Sequence, residues 1–100
     1  MKESVIADLR ALGRTEGRAV LKEALALLAA DPLAETRKLK TLRPNPVAQR
    51  ELRLSGRYRL LFTVDPGQRE VTIVLAGEKR GDALIVQGKR FRAHESGSAQ

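Results

Sequence analysis

Eight cationic side chains, Arg37, Lys38, Lys40, Arg43, Arg50, Arg53, Arg57 and Arg59, fall in one stretch that holds a single acid, Glu51. The stretches on either side are nearly neutral, so this window accounts for the formal net charge of +7. Positive charge gathered in this way suits a polyanion, above all nucleic-acid phosphate. Arginine fits the task because its planar fork grips two phosphate oxygens and stays protonated. Arg53, Arg57 and Arg59 flank a Ser55-Gly56 turn signal, and Lys79-Arg80 sits at the exit of a later strand pattern. These five are the candidates for one anion pocket, with Lys40 and Arg43 as further phosphate contacts. Arg53 and Arg59 are expected to be cross-strand neighbours. The plainer alternative is a solvated sheet face, and Arg50 and Lys38 taken singly are read that way.

Cutting RNA at a ribose 2′-OH needs a proton acceptor, positive charge on the phosphorane and an acid for the leaving oxygen. The arginines supply the second requirement. For proton transfer the chain offers little: Lys79 is a candidate, and Glu51 is either a base or an ion-pair partner of Arg53 or Arg59, the reading preferred here. His94 is the only histidine and lies in a tail expected to be disordered. Tyr58 shares parity with Leu60 and Phe62, which assigns it to the core rather than to base stacking. With three aromatic residues in all, a stacking platform is poorly supported. No phosphate-binding loop, dinucleotide fingerprint, metal-ligand spacing or nucleophile–histidine set is present, so no cofactor is expected.

Two helices and a sheet must position these side chains. Val5, Leu9 and Leu12 predict a helix over 4–12, capped by Ser4 and stopped at Gly13. A second helix is predicted from a Thr15 cap to Ala30, ending at Asp31-Pro32. Residues 33–48 read as polar and irregular. From Glu51 the period changes to two, with leucines alternating with charges. Tyr58, Leu60, Phe62 and Val64 share one face of the next strand, and Asp65-Pro66-Gly67 is a turn. Val71, Ile73 and Leu75 alternate in a third strand, and Ala76–Asp82 reads as a charged loop. A small hairpin around Gln87-Gly88 closes the pattern. The fold class is α+β, a helical hairpin on a small antiparallel sheet. One domain is expected over 1–93, with a flexible tail over 94–100.

Composition narrows the class. The chain has 100 residues, no cysteine and 42% hydrophobic residues. Disulfide staples and thiolate metal sites are thereby excluded. No apolar run is long enough to span a bilayer, and the first residues lack a leader's apolar region. An intracellular, cytoplasmic protein with no membrane partner is expected.

The ordered set of motifs resembles the RelE/ParE superfamily of bacterial type II toxin–antitoxin toxins. The likeness is carried by Glu35–Lys40 through Arg43-Pro44-Asn45-Pro46, by Glu51-Leu52-Arg53 with Tyr58–Phe62, and by Gly77-Glu78-Lys79-Arg80-Gly81. It covers about residues 5–92. It implies a small basic toxin neutralised by an antitoxin whose acidic or amphipathic segment wraps it. RelE-like members cut mRNA in the ribosomal decoding site, whereas ParE-like members inhibit gyrase. The family opens with a strand, and this chain starts at its first helix, so an exposed sheet edge and a homodimer through it are expected. RelE-type nucleases carry two lysines where this chain has Gln49 and Glu51, and a tyrosine where Ile85 or a neighbour stands. Arg59 and the Lys79-Arg80 pair match the family pattern. The implied function is ribosome-dependent mRNA cleavage with Arg59, Lys79 and Arg80 as catalytic residues. The alternative is a non-catalytic relative that binds gyrase or its antitoxin.

Overall fold

The computed structural model describes residues 2–65 and 67–91. Two helices, α1 (Glu3–Ala11) and α2 (Arg14–Ala30), precede six strands: β1 (Leu39–Thr41), β2 (Arg50–Arg53), β3 (Tyr58–Asp65), β4 (Glu70–Arg80), β5 (Ala83–Val86) and β6 (Lys89–Phe91). All neighbours pair antiparallel, in the order β1-β2-β3-β4-β5-β6. The α+β class is as expected, and the meander has six strands where three and a terminal hairpin were predicted. His94 and the expected tail lie outside the described residues.

The helices begin differently from expectation. α1 is preceded by Lys2, not capped by Ser4, and Glu3 in its first turn complements the helix dipole. α2 follows Gly13 directly, and the Gly17 N–H bonds the Gly13 carbonyl at 2.8 Å, which draws Thr15 into the first turn. The helices approach closely at Gly17, where a Cβ would strike the Leu9 carbonyl. Val5, Leu9, Val20, Ala24 and Leu28 cover Leu39, Leu52, Leu54, Leu60, Phe62, Ile73 and Ala76. Phe62, Leu52, Leu60 and Val5 are the largest fully buried side chains, each contributing roughly 1.5–3 kcal/mol by leaving water. Tyr58 packs against this cluster, as its parity predicts.

The stretch expected to be irregular contains a strand. The Thr36 hydroxyl accepts the Lys38 and Leu39 N–H groups at 3.1 Å each and launches β1. Leu39 is buried beside Leu52, which anchors the edge. After β1, Asn45 organises the loop: its side-chain oxygen accepts the Val47 and Ala48 N–H groups, and its amide donates to the Arg43 and Ala48 carbonyls. The loop thus lays Leu42, Val47 and Ala48 over Leu61 and Leu75, forming a second cluster with Val74, Leu84, Val86 and Phe91.

Strand β4 departs most from expectation. It continues through Ala76–Arg80, read from sequence as a loop. Leu61 opposes Leu75 and Phe62 opposes Ile73, so Val74 is an extra residue in a β-bulge. Ile73 therefore packs with the helix-side cluster, and Leu75 packs on the opposite face. Strict alternation of Val71, Ile73 and Leu75 on one face does not hold. No strand precedes α1 among the described residues. The sheet's edges are β1 and β6, each of three residues.

Candidate nucleic-acid interface

The sheet face away from the helices carries Arg53, Arg59, Lys79 and Lys40. Register places Arg53 opposite Arg59 and Arg59 opposite Gly77, so two arginines cross the sheet in one row. Opposed residues in such a ladder stand about 5 Å apart at their Cα atoms. The next row outward runs from Lys79 through Leu84 to Phe91. On the other side of the arginine row, Lys40 opposes Glu51, which opposes Leu61 and then Leu75. Arg53, Arg59 and Lys79 thus share one surface with Lys40 at its edge, bordered by the apolar cluster around Leu61.

Arg59 is the central member. Its guanidinium donates one bond, from Nη1 to the Tyr58 carbonyl at 2.8 Å. Its Nε is buried and has no partner among the described residues. No acid pairs with it or with Lys79 among those residues. A guanidinium grips an oxyanion through two N–H groups on one edge; in Arg59 the Nε of that edge is shut off from solvent, and the side chain as a whole is half-buried. Arg53 is engaged, with Nε 3.2 Å from Glu51 Oε1. Glu51 is an ion-pair partner, the preferred expectation for it, and Arg53 is the arginine it pairs with.

The five-cation pocket is divided by the fold. Glu78 draws Arg57 and Arg80 together, with Arg57 Nε at 3.5 Å and Arg80 Nη2 at 3.0 Å from its carboxylate oxygens. Glu78 opposes Tyr58, whose ring belongs to the helix-side cluster, so this trio lies on that side. Lys79 and Arg80 are adjacent in sequence and alternate across the strand. Arg43 sits exposed in the Asn45 loop. The β2–β3 turn is pinned from α2, where the Glu23 carboxylate accepts the Ser55 N–H and hydroxyl at 3.2 Å each. Those two bonds fix the strand ends that carry Arg53 and Arg59.

Arg50 corrects the solvated-surface expectation. It is 5% exposed and donates to the carbonyls of Pro32 and Ala34 and to the Glu35 carboxylate. It fastens the segment after α2 to the sheet, so its cation is not available to a ligand. The Thr41 hydroxyl donates to Glu35 at 2.6 Å. That bond, with Arg50 beside it, holds the Glu35 carboxyl below the usual carboxylate range.

Sequence reasoning passed over Asp8. It is 2% exposed, accepts the Ala76 N–H at 3.1 Å and accepts the Gln87 side-chain amide at 2.6 Å. The available signal was its spacing: it stands three residues after Val5, on the apolar stripe of α1. The outer surface of the helix layer has its own feature, a groove of about 550 Å³ lined by Ile6, Leu9, Arg10, Arg14, Arg18 and Leu21, among others. Among the described residues no three His, Asp or Glu side chains converge on a metal site. No helix there is long and apolar enough to cross a membrane. Comparison with family models, with curated proteins and with solved structures finds no match.

Proposed function

We propose that this chain is a toxin of the RelE/ParE kind, acting in the cytoplasm as a ribosome-dependent mRNA endonuclease that represses translation. The observation that carries the reading is Arg59. Its half-buried guanidinium has no acidic partner among the described residues, and register sets it opposite Arg53 on the face that carries Lys79. A phosphate laid across the arginine row meets charge-assisted donors on a rigid support. In cleavage, Arg59 stabilises the charge that develops on the phosphorane, and Lys79 is the nearby candidate for proton transfer. Arg53 and Lys40 hold the flanking phosphates. Arg57 and Arg80, tied to Glu78 on the other side, contribute to the field rather than to the grip.

The antitoxin belongs to the same reading. The groove between α1 and α2 joins an apolar floor to three arginines, which suits an acidic amphipathic helix. Non-catalytic binding is the second reading. It is favoured by Glu51, whose carboxylate stands beside the arginine row and repels phosphate.

A reconstituted translation reaction with purified protein tests the proposal, reading protein yield together with mRNA ends by primer extension. New ends that require ribosomes, and that vanish in Arg59→Ala with folding intact, support the nuclease. Intact mRNA with normal yield rejects it and directs attention to gyrase supercoiling.

A further inference from the structure

We infer that Asp8 is a positioning residue for the cation face: its carboxyl group fixes the β4 bulge that turns Lys79, rather than Arg80, to the side of Arg59. Parity carries the inference. Before the bulge, Val71 and Ile73 pack with the helix-side cluster. After it, Ala76 does so, while Leu75 packs on the far side. The extra residue, Val74, is what exchanges the faces. A regular β4 would keep residues 75, 77 and 79 on the helix side and send Arg80 to the far face. The identity of the lysine in the site therefore hangs on one inserted residue.

Bulges interrupt the ladder and leave backbone groups to be satisfied from elsewhere. Lys2, just before α1, and Asp8, within it, do this on the two flanks of Val74. The Lys2 N–H donates to the Ile73 carbonyl at 3.3 Å, and Asp8 Oδ2 accepts the Ala76 N–H at 3.1 Å. Asp8 Oδ1 accepts from Gln87, in the turn between β5 and β6, at 2.6 Å. A carboxyl group buried on an apolar stripe is costly unless its oxygens are used. Both oxygens of Asp8 are used, one at the bulge and one on the hairpin that borders Lys79. An apolar residue at position 8 would favour the regular strand, because the Ala76 N–H would lose its acceptor.

Two readouts test this, and only the second rests on the phosphate-binding reading. Cross-strand nuclear Overhauser contacts report the β3–β4 register without any ligand. The Leu61–Leu75 contact of the native chain should be lost in Asp8→Leu and kept in Asp8→Asn, which retains a carbonyl acceptor. Should Asp8→Leu not fold, Asp8→Ala, which likewise lacks an acceptor, serves for the same comparison. Poly(U) binding across a salt series is the second readout. In the native background Lys79→Ala should weaken binding severalfold and lower the salt slope by about one, whereas Arg80→Ala changes it little. In the Asp8→Leu background the Lys79→Ala effect should vanish and an Arg80→Ala effect should emerge. A folded Asp8→Leu that keeps both the Leu61–Leu75 contact and the Lys79 contribution overturns the inference. If Arg59→Ala leaves poly(U) binding unchanged, the phosphate-binding reading falls, and the register contacts alone decide the role of Asp8.

Discussion

Two arginines of the basic stretch have opposite fates, and their partners separate them. Arg50 spends its donors on the Pro32 and Ala34 carbonyls and on Glu35. Arg59 donates to the Tyr58 carbonyl and has no acidic partner among the described residues. Arg50→Ala should therefore destabilise the fold by about 3 kcal/mol, since buried acceptors lose a charged donor. Urea unfolding checks this, with little change expected in polyanion affinity beyond the loss of fold. Glu35 gives a pH dependence. Its carboxyl is held below the usual range by the Thr41 hydroxyl and then by Arg50. A depressed folded value contributes stability that is present above the unfolded carboxylate range and lost as pH falls through the folded one. The thermal midpoint should accordingly drop on acidification, and Glu35→Gln should flatten that dependence in a melting series. A midpoint that falls equally in both proteins would count against the Thr41–Glu35–Arg50 link.

At the scale of elements, β4 and the terminal hairpin are fitted to each other at Gly77. A Cβ there would come within 2.5 Å of the Ile85 carbonyl and 3.0 Å of Val86 Cγ2. Backbone cannot yield as a flexible side chain can, so Gly77→Ala should push β5 and β6 away and cost about 1–3 kcal/mol. Leu84, Val86 and Phe91 would lift with it from Leu61 and Leu75. Hydrogen exchange should show protection lost first in residues 83–91, and uniform loss across the sheet would contradict this account. The bulge opposite Leu61 and Phe62 works at the same scale. It lets one strand serve two apolar clusters, Ile73 toward the helices and Leu75 toward the Asn45 loop.

For the whole molecule, two surfaces are separated by the sheet and the helix layer: the cation face on one side, the arginine-rimmed groove on the other. The outermost strands have three residues each, and where β4 runs past β5 its open side is met by Lys2 and Asp8, which leaves few free backbone groups for pairing two copies. Light scattering at high concentration should accordingly report a monomer mass, and a dimer would show that an edge pairs despite its length. What the sequence determined by itself is what local periodicity and turn chemistry encode. The helical hairpin, the β2–β3 turn, the core parity of Tyr58, Leu60 and Phe62, the Arg53–Arg59 pairing and the α+β class all follow from neighbours close along the chain. Tertiary structure decided the rest. Arg50 is buried because a segment sixteen residues earlier folds onto it. Arg57 and Arg80 meet because Glu78 lies between them. Lys79 joins Arg59 because the bulge, answered by an acid sixty-eight residues away, reverses the parity of β4. Alternation predicts which side chains share a face only while the strand stays regular, and a bulge is set by what packs against it.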